Sequence, residues 1–288
     1  MIKSHIIIGY GVWAKKIINF LRLSNFFDKI IVLTRKEQFY ILPYYKKREK
    51  KDLKEIYLSA KSVHICSNNN SHFFYVRKYL NIVKNIVVEK PLINSQKEFF
   101  NANNLYKKKN KIIVNYTDLF NPLFIKIKKI FYKNYKKEIN VNIFYHSLTK
   151  KFNKKYELIY DFLDHPLSII LKLLKFFPKF KIIYFNSNYK NYFLKETLKM
   201  QYKYLNISFN FIITNQKKKK IRKININTKS KKFFFNLNIP INQKKTNSFL
   251  NLYKTLCKKN ISGDEFGLSF HKEIYKEKIK IIEKLKNI

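Results

Sequence analysis

Three stretches of this 288-residue chain put reactive side chains where their types and spacing suit chemistry. In "NIVVEKPLI" an apolar strand, Ile86 to Val88, runs straight into Glu89-Lys90-Pro91. Opposite charges and a proline at a buried strand end are costly unless something binds there. In "YDFLDHPLS", Asp161 and His165 stand four apart, on one helical face, and Asp164 beside the histidine is a second candidate partner for it. A histidine titrates near neutrality, so this pairing suits proton transfer. The third stretch is Gly9-Tyr10-Gly11-Val12-Trp13-Ala14, a G-x-G-x-x-A after a strand and before a helix. Glycine permits the tight turn and lets backbone approach a pyrophosphate, whose charge a helix N-terminus favours. An ordinary strand–helix turn is the plainer reading, but two of the chain's four glycines fall in this one motif.

Two further segments bear on a ligand. At the end of the second strand, where an acid would bind the ribose diol of NAD, the chain offers Thr34-Arg35-Lys36. A guanidinium and a hydroxyl suit a 2′-phosphate, so NADP is expected and NAD stays possible. "CSNNNSHFF" joins a strand end to a helix through a polar loop carrying Ser67, Asn68 and His72. Loops at carboxyl strand ends line the crevice of a doubly wound sheet, though His72 is read equally well as a helix cap.

The elements that must position these residues alternate through the first 115 residues. Strands are expected at 5–9, 29–34, 62–66, 85–89 and 111–116, with helices at 12–23 and 72–80. Ser95 and Glu98 form a capping-box pattern opening a helix through "QKEFFNANNLY". "YILPYYKKREKKDLKEIYLSA" is a weak region ending in a helix signal. Short apolar strands between helices imply a parallel sheet covered on both faces. Beyond Tyr116 a proline-initiated helix, "PLFIKIKKIFYKNY", and a long helix over 156–177 precede strand-rich sequence from 181 to 239. In "YKYLNISFNFII", Leu205, Ile207, Phe209 and Phe211 alternate with polar residues, giving one apolar face. "QKKKKIRK" (216–223) reads as a solvated hairpin, and two helices close the chain. The fold class is therefore α/β. A Rossmann doubly wound parallel sheet occupies 1–117, and 118–288 forms an α+β domain with a largely antiparallel sheet.

Lys+Arg total 61 against 18 Asp+Glu, a formal charge of +43. That balance suits nucleic acid or an anionic surface, but lysines are spread along the whole chain. The excess of Lys, Asn, Ile, Phe and Tyr matches codons rich in A and T, so genome bias explains it more simply. Aromatic residues are scattered rather than arranged as a stacking platform for bases. Cys66 and Cys257 show no metal spacing, no P-loop or Ser-His-Asp order is present, and no metal is expected. No run approaches the ~18 apolar residues of a membrane span. A soluble, cytoplasmic protein is expected.

The ordered set G-x-G-x-x-A, S-N-x-x-x-H, E-K-P and Asp-x-x-x-His resembles the Gfo/Idh/MocA oxidoreductase family. The likeness continues through "VNYTDLFNPLF" to "SFLNLYKTLCKKNISGDEFGLSFHKEI", nearly the whole chain. It implies cofactor contacts from Gly9, Gly11, Val12, Trp13, Thr34, Arg35, Ser67, Asn68, His72, Glu89 and Lys90. Lys90 would face nicotinamide and substrate, with Glu89 and Pro91 shaping the turn, commonly through a cis proline bond. A lysine there can stabilise a developing alkoxide. The family's D-x-G-x-H maps onto Asp161, Leu163 and His165: Asp161 binds substrate, His165 is the general acid/base, and Leu163 replaces glycine. The implied activity is hydride transfer between NAD(P) and a carbinol or carbonyl carbon of a small substrate, a sugar or sugar derivative. The implied assembly is a homo-oligomer, dimer or tetramer, with no membrane or specific nucleic-acid partner. The alternative is a catalytically degenerate member serving as a binding or regulatory subunit.

Overall fold

The computed structural model describes residues 4–24, 27, 29–34, 39–42, 46–48, 60–105, 111–146, 157–190, 193–215, 220–238, 248–257 and 266–287. They divide into two compact units, 1–117 with 249–273 and 118–248 with 274–288. Residues 249–273 thus join the first unit, which a single cut near 117 does not capture.

In the first unit, β1 (Ser4–Ile8), β2 (Lys29–Leu33), β5 (Ala60–Ile65), β6 (Asn85–Glu89) and β7 (Lys111–Asn115) form a parallel sheet in the order β2-β1-β5-β6-β7. Their apolar centres, such as Ile6, Ile31, Val63, Val87 and Val114, are buried, as strands covered on both faces require. Helix α1 (Val12–Ser24) buries Ala14, Ile17, Ile18 and Leu21 at helical spacing and exposes Lys15, Lys16, Asn19 and Arg22. Helices α2 (His72–Tyr79) and α3 (Gln96–Asn101) follow β5 and β6. Sequence reading needs two corrections here. The front of the weak region forms two short antiparallel strands, β3 (Phe39–Leu42) and β4 (Lys46–Arg48), extending the sheet at its β2 edge. The helix through "QKEFFNANNLY" is α-helical only to Asn101 and tightens to a 3₁₀ turn over Ala102–Leu105.

The second unit is a six-stranded sheet with α4 (Pro122–Asn134), α5 (Glu157–Phe162) and α6 (Asp164–Leu174). Its strands are β8 (Ile139–His146), β9 (Phe180–Lys190), β10 (Phe193–Tyr204), β11 (Ile207–Thr214), β12 (Ile221–Thr228) and β13 (Lys232–Asn236), ordered β13-β12-β8-β11-β10-β9. All pairs are antiparallel except β8 with β11. On β8, Ile139, Val141, Ile143 and Tyr145 point inward and alternate with half-buried residues. Such apolar side chains each stabilise by roughly 1.5–3 kcal/mol on burial. The hairpin expected at 216–223 is not formed: β8 lies between β11 and β12, so this connection crosses a strand. Residues 216–219 themselves lie outside the described residues. Leu205 is not on the apolar face either. It occupies the β10–β11 turn at φ 50°, 75% exposed, while Ile207, Phe209 and Phe211 are buried as the alternation requires. The long helix is divided at Leu163, because Pro166 has no N–H to give the Phe162 carbonyl.

The helices that close the chain are α7 (Ser248–Cys257) and α8 (Leu268–Lys286).

Candidate active site

In the first unit the glycine turn is built as its spacing requires. Gly9 has φ 102°, and a Cβ there would lie 2.7 Å from the Cys66 carbonyl oxygen, so only glycine fits. Gly9 N–H donates to Leu33 O (2.8 Å) and Cys66 N–H to Ile8 O (2.8 Å), tying the ends of β1, β2 and β5 together. Gly11 is different. A Cβ there would meet nothing within 4 Å among the described residues, so their packing does not require glycine. Open space at Gly11, a following helix with no acid in its first turn, and a buried Trp13 Nε1 with no hydrogen-bond partner among the described residues suit a phosphate-bearing ligand. Val12 is 76% exposed at the start of α1. Thr34 is half-buried just past β2, whereas Arg35 lies outside the described residues.

The two loops at the carboxyl ends of β5 and β6 are pinned by buried imidazoles. His72 Nδ1 is 2.8 Å from Pro91 O and its Nε2 3.0 Å from Ser67 O, so it bridges two loops and is not a cap. Burial pulls the His72 pKa down, against those two carbonyl contacts, which favour the cation. Ser71 Oγ lies 2.8 Å from both Ser67 Oγ and Asn68 O, and Asn68 itself is exposed. Glu89 Oε1 receives His64 Nε2 (3.0 Å) and Asn115 Nδ2 (2.7 Å). Lys90 follows, half-buried, and the Lys90–Pro91 peptide is cis, as the family resemblance implies. Downstream, His271 Nε2 accepts Leu92 N–H (3.2 Å) and Ile93 N–H (3.1 Å), while its Nδ1 meets Tyr116 Oη. Ser95 Oγ caps Glu98 N–H (3.2 Å), but the Glu98 carboxylate takes the N–H of Asn94 (2.7 Å) rather than that of Ser95. Burial, then the nearby Glu89 charge, pushes the Cys66 thiol well up.

In the second unit His165 is one of a buried group. Its Nδ1 lies 2.6 Å from Asp118 Oδ2, to which Tyr145 Oη also donates (2.7 Å). Arg222 Nη1 is 3.5 Å from Asp118 Oδ1. The Tyr145 and His165 rings stack with centroids 5.0 Å apart. Arg222 on β12 is the direct cross-strand neighbour of Tyr145 on β8, so sheet register sets two members and α6 sets His165. Burial alone would raise the Asp118 pKa. The Arg222 and His165 charges, with hydrogen bonds from His165 and Tyr145, outweigh it and hold the carboxyl well below the usual range. Burial and Asp118 push the Tyr145 phenol well up, keeping it a neutral donor. An ionised Asp118 only accepts, so His165 donates from Nδ1 and Nε2 is the basic nitrogen of the neutral ring.

The carboxylate on His165 is therefore Asp118, which sequence reading did not single out. The expectation that Asp164 partners the histidine fails: Asp164 is buried against Lys278 Nζ at 2.7 Å. Asp161 is half-buried on α5, four residues before His165, and Leu163 is fully buried. A signal for Asp118 was present, an acid between an apolar strand and Asn121-Pro122 in a chain with only 18 acids.

Residues 4–117 match the oxidoreductase family with an NAD-binding Rossmann fold, GFO_IDH_MocA. This match covers the nucleotide-binding segment, the part of the chain that holds the glycine turn and the Glu89-Lys90-Pro91 strand end. Solved structures extend the fold along the whole chain. A dehydrogenase, MviM, from Clostridium difficile is 17% identical at a TM-score of 0.70, covering 98% of this chain and 99% of that one. A Gfo/Idh/MocA family oxidoreductase from Vibrio cholerae is 14% identical at 0.67, with 99% of each chain covered. UDP-N-acetylglucosamine 3-dehydrogenase GnnA from Acidithiobacillus ferrooxidans is 10% identical at 0.73, with 97% of each covered. No curated protein matches the chain in sequence. Among the described residues, no helix is long and apolar enough to cross a membrane.

Proposed function

We propose that the protein is an NAD(P)-dependent oxidoreductase acting on the carbinol or carbonyl carbon of a small substrate, a sugar or sugar derivative. The observation that carries this reading is the buried Asp118–His165 contact, an imidazole held in one tautomer by an anion. The nicotinamide, when bound, exchanges the hydride. His165 Nε2 takes the hydroxyl proton in the oxidative direction and returns it in the reductive one. Asp118 fixes the ring and Tyr145 stacks on it. The Lys90 ammonium hydrogen-bonds the reacting oxygen, and Asp161 holds a neighbouring hydroxyl. The first unit holds the dinucleotide at Gly9 and Gly11. The sugar assignment draws on fold relatives such as the UDP-N-acetylglucosamine 3-dehydrogenase. Lys90→Ala and His165→Ala are each expected to abolish turnover and leave dinucleotide affinity within a few-fold. Wild-type-like turnover in either would sink the mechanism.

NADP is our choice over NAD, on Thr34 and Arg35. Fluorescence titration is expected to give tighter binding of NADPH than of NADH, with Arg35→Ala removing the difference. Equal affinities in the wild type would reverse that choice. We also propose a homo-oligomer formed through the open face of the second sheet. Gln201 donates to Asn210 (2.9 Å), and Asn210 to Asn140 (2.7 Å) and Asn142 (3.2 Å), giving a half-buried amide row across three strands. Sedimentation of wild-type protein against Asn210→Arg tests it: the variant is expected to sediment as a smaller species.

A further inference from the structure

We propose that His64, Cys66 and Glu89 bind a borderline divalent cation of the zinc class. The three donors come from the ends of adjacent parallel strands, β5 and β6, which run in register as His64↔Val87 and Ile65↔Val88. An imidazole nitrogen, a thiol sulfur and a carboxylate oxygen all lie within 4.8 Å of one another, a spacing that modest side-chain rotations close around one ion. His64 is buried, while Cys66 and Glu89 are half-buried, so the donors are shielded yet reachable. Three protein ligands of these types with one open position form a donor set that zinc takes. Neutral imidazole, thiolate and carboxylate sum to −2, so a bound dication leaves no net charge in a shielded place.

The surroundings of the ligands complete the site. Metal on His64 Nε2 needs the hydrogen on Nδ1, which lies 2.7 Å from Tyr253 Oη. That phenol can accept it, because its own hydrogen has an acceptor in His5 Nε2 at 3.3 Å, and His5 Nδ1 is in turn 2.7 Å from Ser62 Oγ. Asn115 Nδ2 steadies the Glu89 carboxylate at 2.7 Å. Asn115 Oδ1, buried on the same amide, has no hydrogen-bond partner among the described residues. A water in the ion's open position supplies the missing donor. Sequence spacing hides this site because the ligands lie on two strands and the residues that orient them on others.

Cobalt(II), a spectroscopic substitute for zinc, tests the assignment on the full chain. One equivalent is expected to give a near-ultraviolet thiolate-to-cobalt band that zinc displaces, lost in Cys66→Ser and retained in Cys257→Ser. The wild type supplies a second measurement that needs no variant to fold. Zinc at 100 times its Kd is expected to slow alkylation of Cys66 about 100-fold, leaving Cys257 unchanged. No band, a band that survives Cys66→Ser, or equal effects of zinc on both cysteines would overturn the proposal.

Discussion

Asp118 Oδ2 lies 2.6 Å from His165 Nδ1 although 47 residues separate them, and both side chains are almost fully buried. The contact decides what the imidazole can do. An anion that only accepts leaves the basic nitrogen on the opposite edge of the ring, and Tyr145 stacked on its face limits rotation. In the proposed mechanism Asp118 is a positioning residue, acting on chemistry through His165.

Asp118→Asn is therefore expected to lower kcat by ~10²–10⁴-fold, because an amide no longer selects the tautomer. Substrate KM and dinucleotide Kd should stay within a few-fold, a split that a merely structural role would not give. Steady-state kinetics beside nucleotide titration reads both. An unchanged kcat would remove Asp118 from the mechanism.

The same carboxylate makes a prediction about acid stability. Its folded pKa is depressed, so its ionised form contributes stability above the ordinary carboxylate range. That contribution is lost as pH falls below ~4 toward the folded value. Thermal melts between pH 7 and 2 should show a shallower acid limb in Asp118→Asn than in wild type. At neutral pH the variant should be ~3–5 kcal/mol less stable, since Arg222 loses its anion.

What could be read from the sequence was what is local. The G-x-G-x-x-A turn and the E-K-P strand end are decided within a few residues, and the buried parallel strands announce themselves as short apolar runs. Asp118 could not be paired with His165 because the strand and helix between them decide their meeting. The failed hairpin has the same cause: a charge run between consecutive strands says nothing about β8 entering from earlier in the chain. Asp164 misled because a neighbour in sequence on a helix points elsewhere, here to Lys278.

The two glycines of the turn should separate under mutation. Gly9→Ala places a Cβ 2.7 Å from a backbone oxygen at φ 102°, so it should lower the melting temperature sharply. Gly11→Ala meets no atom of the described residues, so the melting temperature should hold while NADPH affinity falls at least tenfold. Retained affinity in Gly11→Ala would mean that the space beside it is not where the pyrophosphate lies.

Lys278 and Asp164 form a buried ion pair at 2.7 Å, and Lys278 Nζ also lies 4.1 Å from the centre of the Tyr160 ring. Lys278→Ala strands a carboxylate in the core and should cost ~3–5 kcal/mol. Lys278→Ala combined with Asp164→Asn should recover part of that loss, because the unpaired charge is gone. Urea unfolding of wild type, Lys278→Ala, Asp164→Asn and the double variant checks it. Additive losses would mean that the pair is not coupled.

Leu205 offers the opposite sign. It is a branched side chain at φ 50° in a turn, three-quarters exposed, with little burial to offset the left-handed backbone. Steric cost there is ~1–2 kcal/mol for an ordinary L-residue, and asparagine tolerates the conformation better. Leu205→Asn is expected to stabilise the protein by ~0.5–1 kcal/mol, read as a higher urea midpoint at unchanged slope. A lower midpoint would mean that the leucine packs in a way its exposure conceals, with an oligomer contact at this turn the first place to look.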